Sequence, residues 1–286
     1  MGAANPTPSP IPADVAEAVA RLAGPTAACA ELLALAEVCR RAGALQSACD
    51  LVDLAESRFG RVPATAAPLR RAFDGALDVR CDPVAGPVPI VRRTRFLSDS
   101  HRAEIFSGLQ ASIACFEPSP LSDGEREYYA DDRRTSLTWR EIGAIGETLR
   151  GALTPLLREK APETLALLDN GGAAIDMHAQ IHGDGDFFGP HCDLKADAAH
   201  ERLLSFVYYM HSQPRRFTGG DLLIYDRCDN ADVYNPAAYT RIIPDENSIV
   251  VFPGFAVHEV DRVALPSRER MDARFTITGS VVMRAP

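Results

Sequence analysis

The chain has 286 residues, of which 46% are apolar and 24% charged, with a net charge of −9. This is the profile of a globular protein with ample material for a buried core, not of a disordered or fibrous chain. So acidic a surface repels phosphate backbones and sets nucleic acid aside as a partner, and no apolar run reaches the roughly eighteen residues of a membrane-spanning helix.

Residues 1–12, "MGAANPTPSPIP", are proline-rich and expected to be disordered; they offer neither the basic start nor the apolar run of a secretory signal. Residues 13–78 read as a helical segment. Within it "AACAELLALAEVCRRAG" and "LQSACDLVDLAESRFG" space their apolar residues by three and four and end in glycine, which predicts a helical hairpin joined at Gly43. The unit looks a little like a single tetratricopeptide repeat, but no second copy follows, and a helical layer packed on the main domain is the preferred reading. Residues 79–89, "VRCDPVAGPVP", read as a linker into a main domain spanning 88–286.

In that domain "PIVRRTRFL" predicts a strand, "DSHRAEIFSGLQASIACF" a helix capped by Asp99 or Ser100, and "TWREIGAIGETLRGALTPLLREKAPETLALL" one or two helices. From Ala174 on, β-signals dominate: "AIDMHAQI", "RLLSFVYYMH", "GGDLLIYD", "SIVVFPGF" and "ARFTITGSVVM". Helices followed by short strands predict an α+β domain, a sandwich or barrel with helices outside. "RCDNADVYNPAAYTRIIPDE", residues 227–246, reads as a lid or outer-rim loop. The seven cysteines, Cys29, Cys39, Cys49, Cys81, Cys115, Cys192 and Cys228, form no CxxC pair and an odd total, which fits a reducing cytoplasm.

Chemistry-bearing residues fall on particular strand faces. Asp176, His178, Gln180 and His182 alternate with apolar residues, as do Arg274, Thr276 and Thr278; such faces look either to solvent or into a barrel lumen. In "FFGPHCDLK", His191 and Asp193 are two apart and share a side of an extended chain. His258 follows 65 residues after Asp193, beyond a strongly apolar strand and a Pro-Gly turn. Two imidazoles and a carboxylate suit Fe(II) with open coordination positions, and equally suit zinc. Arg274 adds a guanidinium fork fit for an acidic co-substrate.

Seven stretches in order, "RFLSDSHRAEIF", "DDRRTS", "HGDGDFFGPHCD", "RLLSFVYYM", "TGGDLLIYD", "FPGFAVHEV" and "ARFTITGSV", resemble 2-oxoglutarate- and Fe(II)-dependent dioxygenases of the prolyl 4-hydroxylase-like branch, over roughly residues 95–282. The resemblance implies a double-stranded β-helix, or jelly roll, with flanking helices, and Fe(II) held by His191, Asp193 and His258. It implies that Arg274 binds the distal carboxylate of 2-oxoglutarate with Tyr209 hydrogen-bonded to it, and that His182, where the family usually has tyrosine, alters the bonding around the co-substrate. O2 is the other co-substrate, ascorbate an optional addition, and succinate and CO2 the co-products. The implied reaction is hydroxylation of an unactivated C–H bond in an amino-acid, peptide or related small-molecule substrate, Asp193 arguing against halogenation. The rivals are a catalytically silent barrel that binds a partner through its helical N-terminus, and a zinc hydrolase on the same triad. Sixteen residues separate His258 from Arg274 where the family has about nine, so Arg268 and Arg270 also compete for the basic role.

The remaining residues read more plainly. His178 and His182 share a face without a common metal focus; His101, His200 and His211 are expected in solvent; Cys192 points away from the ligands; and Trp139 belongs to the core. "DDRR", residues 131–134, is either a loop salt bridge or places Arg133 or Arg134 at the substrate entrance.

Overall fold

The computed structural model describes residues 28–42, 44–60, 84–122, 127–193, 202–228 and 234–284. The disordered N-terminus expected over 1–12, the outer parts of the helical segment, residues 79–83 of the linker, the hairpin joint at Gly43 and His200 lie outside them. The chain divides into two units, one of residues 1–85 with 228–239, the other of 86–227 with 240–286.

In the first unit, α1 (Cys29–Arg41) and α2 (Leu45–Phe59) bear the three-and-four periodicity on their touching faces. Leu32, Leu35, Ala36 and Cys39 bury against Ala48, Leu51, Val52 and Ala55. Gly60 ends α2 with φ +75°, a backbone conformation open to glycine. Arg40, 2% exposed, is the exception on an apolar face. Its guanidinium donates to the carbonyls of Ala237 and Tyr239, pairs with Glu37, and lies 3.5 Å over the Tyr239 ring. Part of the predicted 227–246 loop is thereby held by the hairpin. Tyr239–Ile242, within the segment read as a loop, form a strand.

The second unit opens with β1 (Val91–Thr94) and α3 (Asp99–Ala111). The cap of α3 is Ser98, one residue before the expected pair, its hydroxyl accepting from the His101 N–H. The short strands β2 (Glu117–Pro118), β3 (Arg134–Thr135) and β4 (Leu137–Trp139) follow, so Trp139 precedes the helices instead of opening one. Next come α4 (Gly143–Lys160), with Pro155 inside, and α5 (Pro162–Asp169). Eight strands then make the core: β5 (Ala173–His182), β6 (Phe187–His191), β7 (Arg202–Met210), β8 (Leu222–Tyr225), β9 (Tyr239–Ile242), β10 (Ser248–Pro253), β11 (His258–Val260) and β12 (Arg274–Met283).

These strands distribute between two antiparallel sheets. One has the order β1-β10-β7-β12-β5-β4-β2, the other β9-β8-β11-β6-β3. The chain passes back and forth between them, which is the winding of a double-stranded β-helix. The period-two patterns sort residues onto the faces of the larger sheet. Ala179, Ile181, Phe206, Tyr208, Phe275 and Ile277 join Ile105, Leu109, Leu149 and Leu153 of α3 and α4 in one apolar cluster. On the opposite face Val207, Tyr209, Val250 and Phe252 meet Leu222 and Ile224 of the smaller sheet. The polar alternates Gln180, His182, Arg274 and Thr276 are all buried, which places them inside the barrel and not in solvent. His211 is corrected too: it is buried, edge-on to Phe217, because β7 carries it inward as an apolar run would.

Close packing constrains the approach to β11. A Cβ on Gly254 would come 2.1 Å from the Arg202 carbonyl oxygen, a backbone atom that cannot swing aside. We expect Gly254→Ala to lose at least about 1–3 kcal/mol of stability, read as a lower urea midpoint with unchanged slope. No helix among the described residues is long and apolar enough to cross a membrane.

Candidate metal centre and its cavity

His191 closes β6 and His258 opens β11, and the two strands pair so that these residues stand opposite each other. Their ring centroids are 4.2 Å apart. Asp193, two residues beyond His191, reaches the same point: its carboxylate oxygens lie 4.0 Å from His191 Nε2 and 3.9 Å from His258 Nε2. One ligand atom from each of the three falls within 4.8 Å of the others. The pairing of β6 with β11 thus joins His191 and His258, which stand 67 positions apart in the sequence.

The backbone orients both imidazoles. His191 Nδ1 lies 2.9 Å from the Gly189 carbonyl and His258 Nδ1 2.9 Å from the Ala256 carbonyl. An N–H at Nδ1 satisfies each carbonyl and leaves the Nε2 lone pairs to converge, the orientation that metal-ligating histidines need. Phe188 stacks on His191 at 3.6 Å, and Phe252 meets His258 edge-on. Burial, and next to it the neighbouring His258, push His191 down to about 3, so it is neutral and able to ligate near neutral pH. Burial opposes ionisation of Asp193, but His258, His191, Arg202 and a hydrogen bond from Ser205 outweigh it and hold the carboxyl at about 2. Near neutral pH the site therefore presents a neutral His191 and an ionised Asp193, with His258 Nε2 facing the carboxylate.

Ser205, on β7, donates to the second carboxylate oxygen of Asp193 and fixes its rotamer. Loss of such an orienting bond costs roughly 10- to 100-fold in metal affinity. We expect that weakening in Ser205→Ala, measured by anaerobic Fe(II) titration, with the fold unchanged by circular dichroism.

The three residues open into a cavity of about 830 Å³ between the sheets, lined also by His178, Gln180, Phe188, Phe252 and Arg274. Arg274, 1% exposed, begins β12 opposite His182 in register. Its Nη1 lies 3.2 Å from His182 Nδ1, and its guanidinium carbon 5.1 Å from the Tyr209 ring centroid. Among the described residues its Nε and Nη2 have no hydrogen-bond partner within normal geometry, nor have the neighbouring His182 Nε2, Tyr209 hydroxyl and Thr276 Oγ1. Burial and the Arg274 charge keep His182 neutral, and burial, partly offset by Arg274, pushes Tyr209 up to about 12. A buried cation among unpaired donors is a hole shaped for an anion. His182 and Tyr209 flank Arg274 without lining the cavity themselves. Arg268 is exposed and bonded to Asp184, and Arg270 is exposed in a 3₁₀ turn (Arg270–Asp272); neither lines the cavity.

His178 lies against Gln180 and Thr278 on the cavity wall, and burial holds it down at about 4. It is not part of the metal cluster found among the described residues. The Cys192 thiol turns to the carbonyls of Gly254 and Phe255. Trp139 packs against Phe116. Sequence reasoning missed Arg202 and Ser205, which carry no motif of their own; three residues apart, they would face opposite ways by alternation, and the strand's register shifts between Arg202 and Leu204, with both found beside Asp193.

Residues 177–281 match the family model of the 2OG-Fe(II) oxygenase superfamily. An uncharacterised PKHD-type hydroxylase of Synechocystis sp. is 31% identical over 166 residues, 55% of each chain, so this chain spans about half the length of that relative. Among solved structures, a Pseudomonas putida prolyl-4-hydroxylase superposes with TM-score 0.49 at 19% identity, covering 69% of this chain and 93% of that one. A Trichoplax adhaerens prolyl hydroxylase, solved in complex with a hypoxia inducible factor peptide fragment, gives 0.48 at 14%, covering 76% and 91%.

Proposed function

We propose that the protein is an Fe(II)- and 2-oxoglutarate-dependent hydroxylase, a reading supported by the match of residues 177–281 to the 2OG-Fe(II) oxygenase superfamily model. Its substrate is an amino acid, a peptide or a related small molecule. The observation that carries the reading is the convergence of His191, Asp193 and His258 in one cavity with Arg274. Two nitrogens and a carboxylate fit Fe(II) and leave positions open to co-substrates. Bound iron, 2-oxoglutarate and O2 supply the oxidising power, with succinate and CO2 released.

The protein's own part is binding, orientation and exclusion of water. His191, Asp193 and His258 hold the ion, and the Gly189 and Ala256 carbonyls keep both rings aimed at it. Arg274 clasps the distal carboxylate of 2-oxoglutarate, with the Tyr209 hydroxyl beside it and His182 setting the guanidinium by accepting from Nη1. Phe188 and Phe252 make the wall next to the ligands apolar. No side chain needs to act as a general base. A zinc hydrolase would use the triad but has no use for Arg274, a buried cation with two nitrogens unpaired. A silent scaffold would carry the desolvation cost of that cation for nothing.

The test is incubation with Fe(II), 2-oxoglutarate, O2 and ascorbate, followed by assay of succinate. Turnover above a Zn(II)-loaded control is expected even without substrate, through slow uncoupled decarboxylation. An iron-loaded protein that neither binds 2-oxoglutarate nor forms succinate would sink the proposal.

A further inference from the structure

The cavity holds more positive charge than the co-substrate accounts for. Arg274 serves 2-oxoglutarate in the reading above, Arg202 lies 3.6 Å from Asp193, and Arg140 is paired with Glu127. Arg134, on β3, also lines the cavity but has no carboxylate partner among the described residues. Its guanidinium sits 4.5 Å over the face of Phe188, whose ring is itself stacked on His191. Arg134 is therefore one aromatic ring away from a metal ligand.

Two contacts position it. Nε donates to Ser136 Oγ at 3.1 Å and Nη1 to the Pro120 carbonyl at 3.1 Å. A guanidinium has five N–H donors, so three have no partner among the described residues, and the residue borders the cavity. Were Arg134 only a staple between two loops, those bonds would suffice and a neutral donor would serve. Its charge is instead kept where burial pushes it down to about 10, with Asp193 partly compensating and Arg140 opposing. In the proposed enzyme Asp193 is engaged by the ion, which leaves Arg134 without compensation until another anion arrives.

We propose that Arg134 anchors an anionic group of the substrate, a carboxylate or a phosphate, beside the metal centre. The placement deepens the hydroxylase reading and rests on it for the reaction, while the anion site itself stands on the arginine. The substrate is then a small acid or phosphate ester held by its charge, with the carbon to be oxidised turned toward His191 and His258. The remaining donors of a planar fork favour a group that accepts from two nitrogens at once.

Acetate and inorganic phosphate are the probes. Each is titrated calorimetrically and anaerobically into protein carrying Fe(II) and enough 2-oxoglutarate to fill its site. Saturable binding of at least one is expected, weakened tenfold or more in Arg134→Met, partly restored in Arg134→Lys and unchanged in Arg140→Met. Preference for acetate assigns a carboxylate and preference for phosphate a phosphate ester. In parallel, the Arg134 guanidinium resonance of the unaltered protein should shift with the same anion, which keeps the test alive if Arg134→Met does not fold. Absence of saturable binding, a response that leaves that resonance unmoved, or equal binding by a folded Arg134→Met protein would overturn the proposal. Affinity for 2-oxoglutarate, measured in the same series, should change less than twofold in Arg134→Met. Its absence in the unaltered protein would count against the oxygenase reading alone.

Discussion

Alanine at His191, Asp193 or His258 is expected to abolish Fe(II)-dependent 2-oxoglutarate consumption, each by itself, with no loss of cooperative unfolding. The three ligand atoms converge within 4.8 Å and no fourth His, Cys, Asp or Glu joins them among the described residues, so no neighbour can replace a lost ligand. The apolar clusters on either face of the larger sheet are built from other residues, and the barrel does not depend on the ion for its core. Asp193→Ala has a further effect, since it removes the one anion facing two imidazoles and Arg202. Succinate assays on the three variants beside thermal melts check both halves. Full turnover in any one of them would remove that residue from the ligand set.

Arg274→Ala is expected to raise the 2-oxoglutarate KM by hundreds-fold or more while iron affinity stays near that of the unaltered protein. The guanidinium is 1% exposed, so a carboxylate bound there is largely desolvated and its loss is not made good by water. Breaking such a buried pair costs about 3–5 kcal/mol, and each 1.4 kcal/mol or so is a factor of ten. Arg268→Ala and Arg270→Ala should shift KM less than about twofold, because a substitution of a screened surface charge is worth at most ~1 kcal/mol. Titrating 2-oxoglutarate against the three variants decides the matter. A large loss at Arg268 with none at Arg274 would mean that the anion hole beside His182 serves something else.

Much of the barrel was legible because its strands alternate. "DMHAQIH" and "ARFTIT" separate polar from apolar residues so cleanly that both faces of the larger sheet could be written down beforehand, although whether the polar face met solvent or lumen could not. That depends on the second sheet, whose strands are short and come from distant parts of the chain. The candidate triad was legible by residue type and order, but its assembly rests on the register that sets His258 against His191. The sixteen residues from His258 to Arg274 left Arg268 and Arg270 as competitors because the filling of that gap, a turn with Arg268 on Asp184 and a short 3₁₀ helix, carries no periodic signal. Arg134 hid in "DDRR" because a two-residue strand leaves no periodic signature, and its meaning comes from Phe188, 54 residues on. Tyr239–Ile242 was read as loop for the same reason, its pairing with Leu222–Tyr225 being invisible in so short a run.

The hold of Arg40 on the Tyr239 carbonyl also sets an order of events during synthesis. The two residues are 199 apart in the chain, and their bond is 2.7 Å long. A ribosome adding about 5–20 residues per second needs roughly 10–40 s to cover that distance. Throughout that interval the finished hairpin carries a guanidinium on its apolar face without the carbonyls that will accept from it. The N-terminal unit, which emerges ahead of the barrel, is therefore completed only once β1 to β8 have been translated, with β10, β11 and β12 still to come.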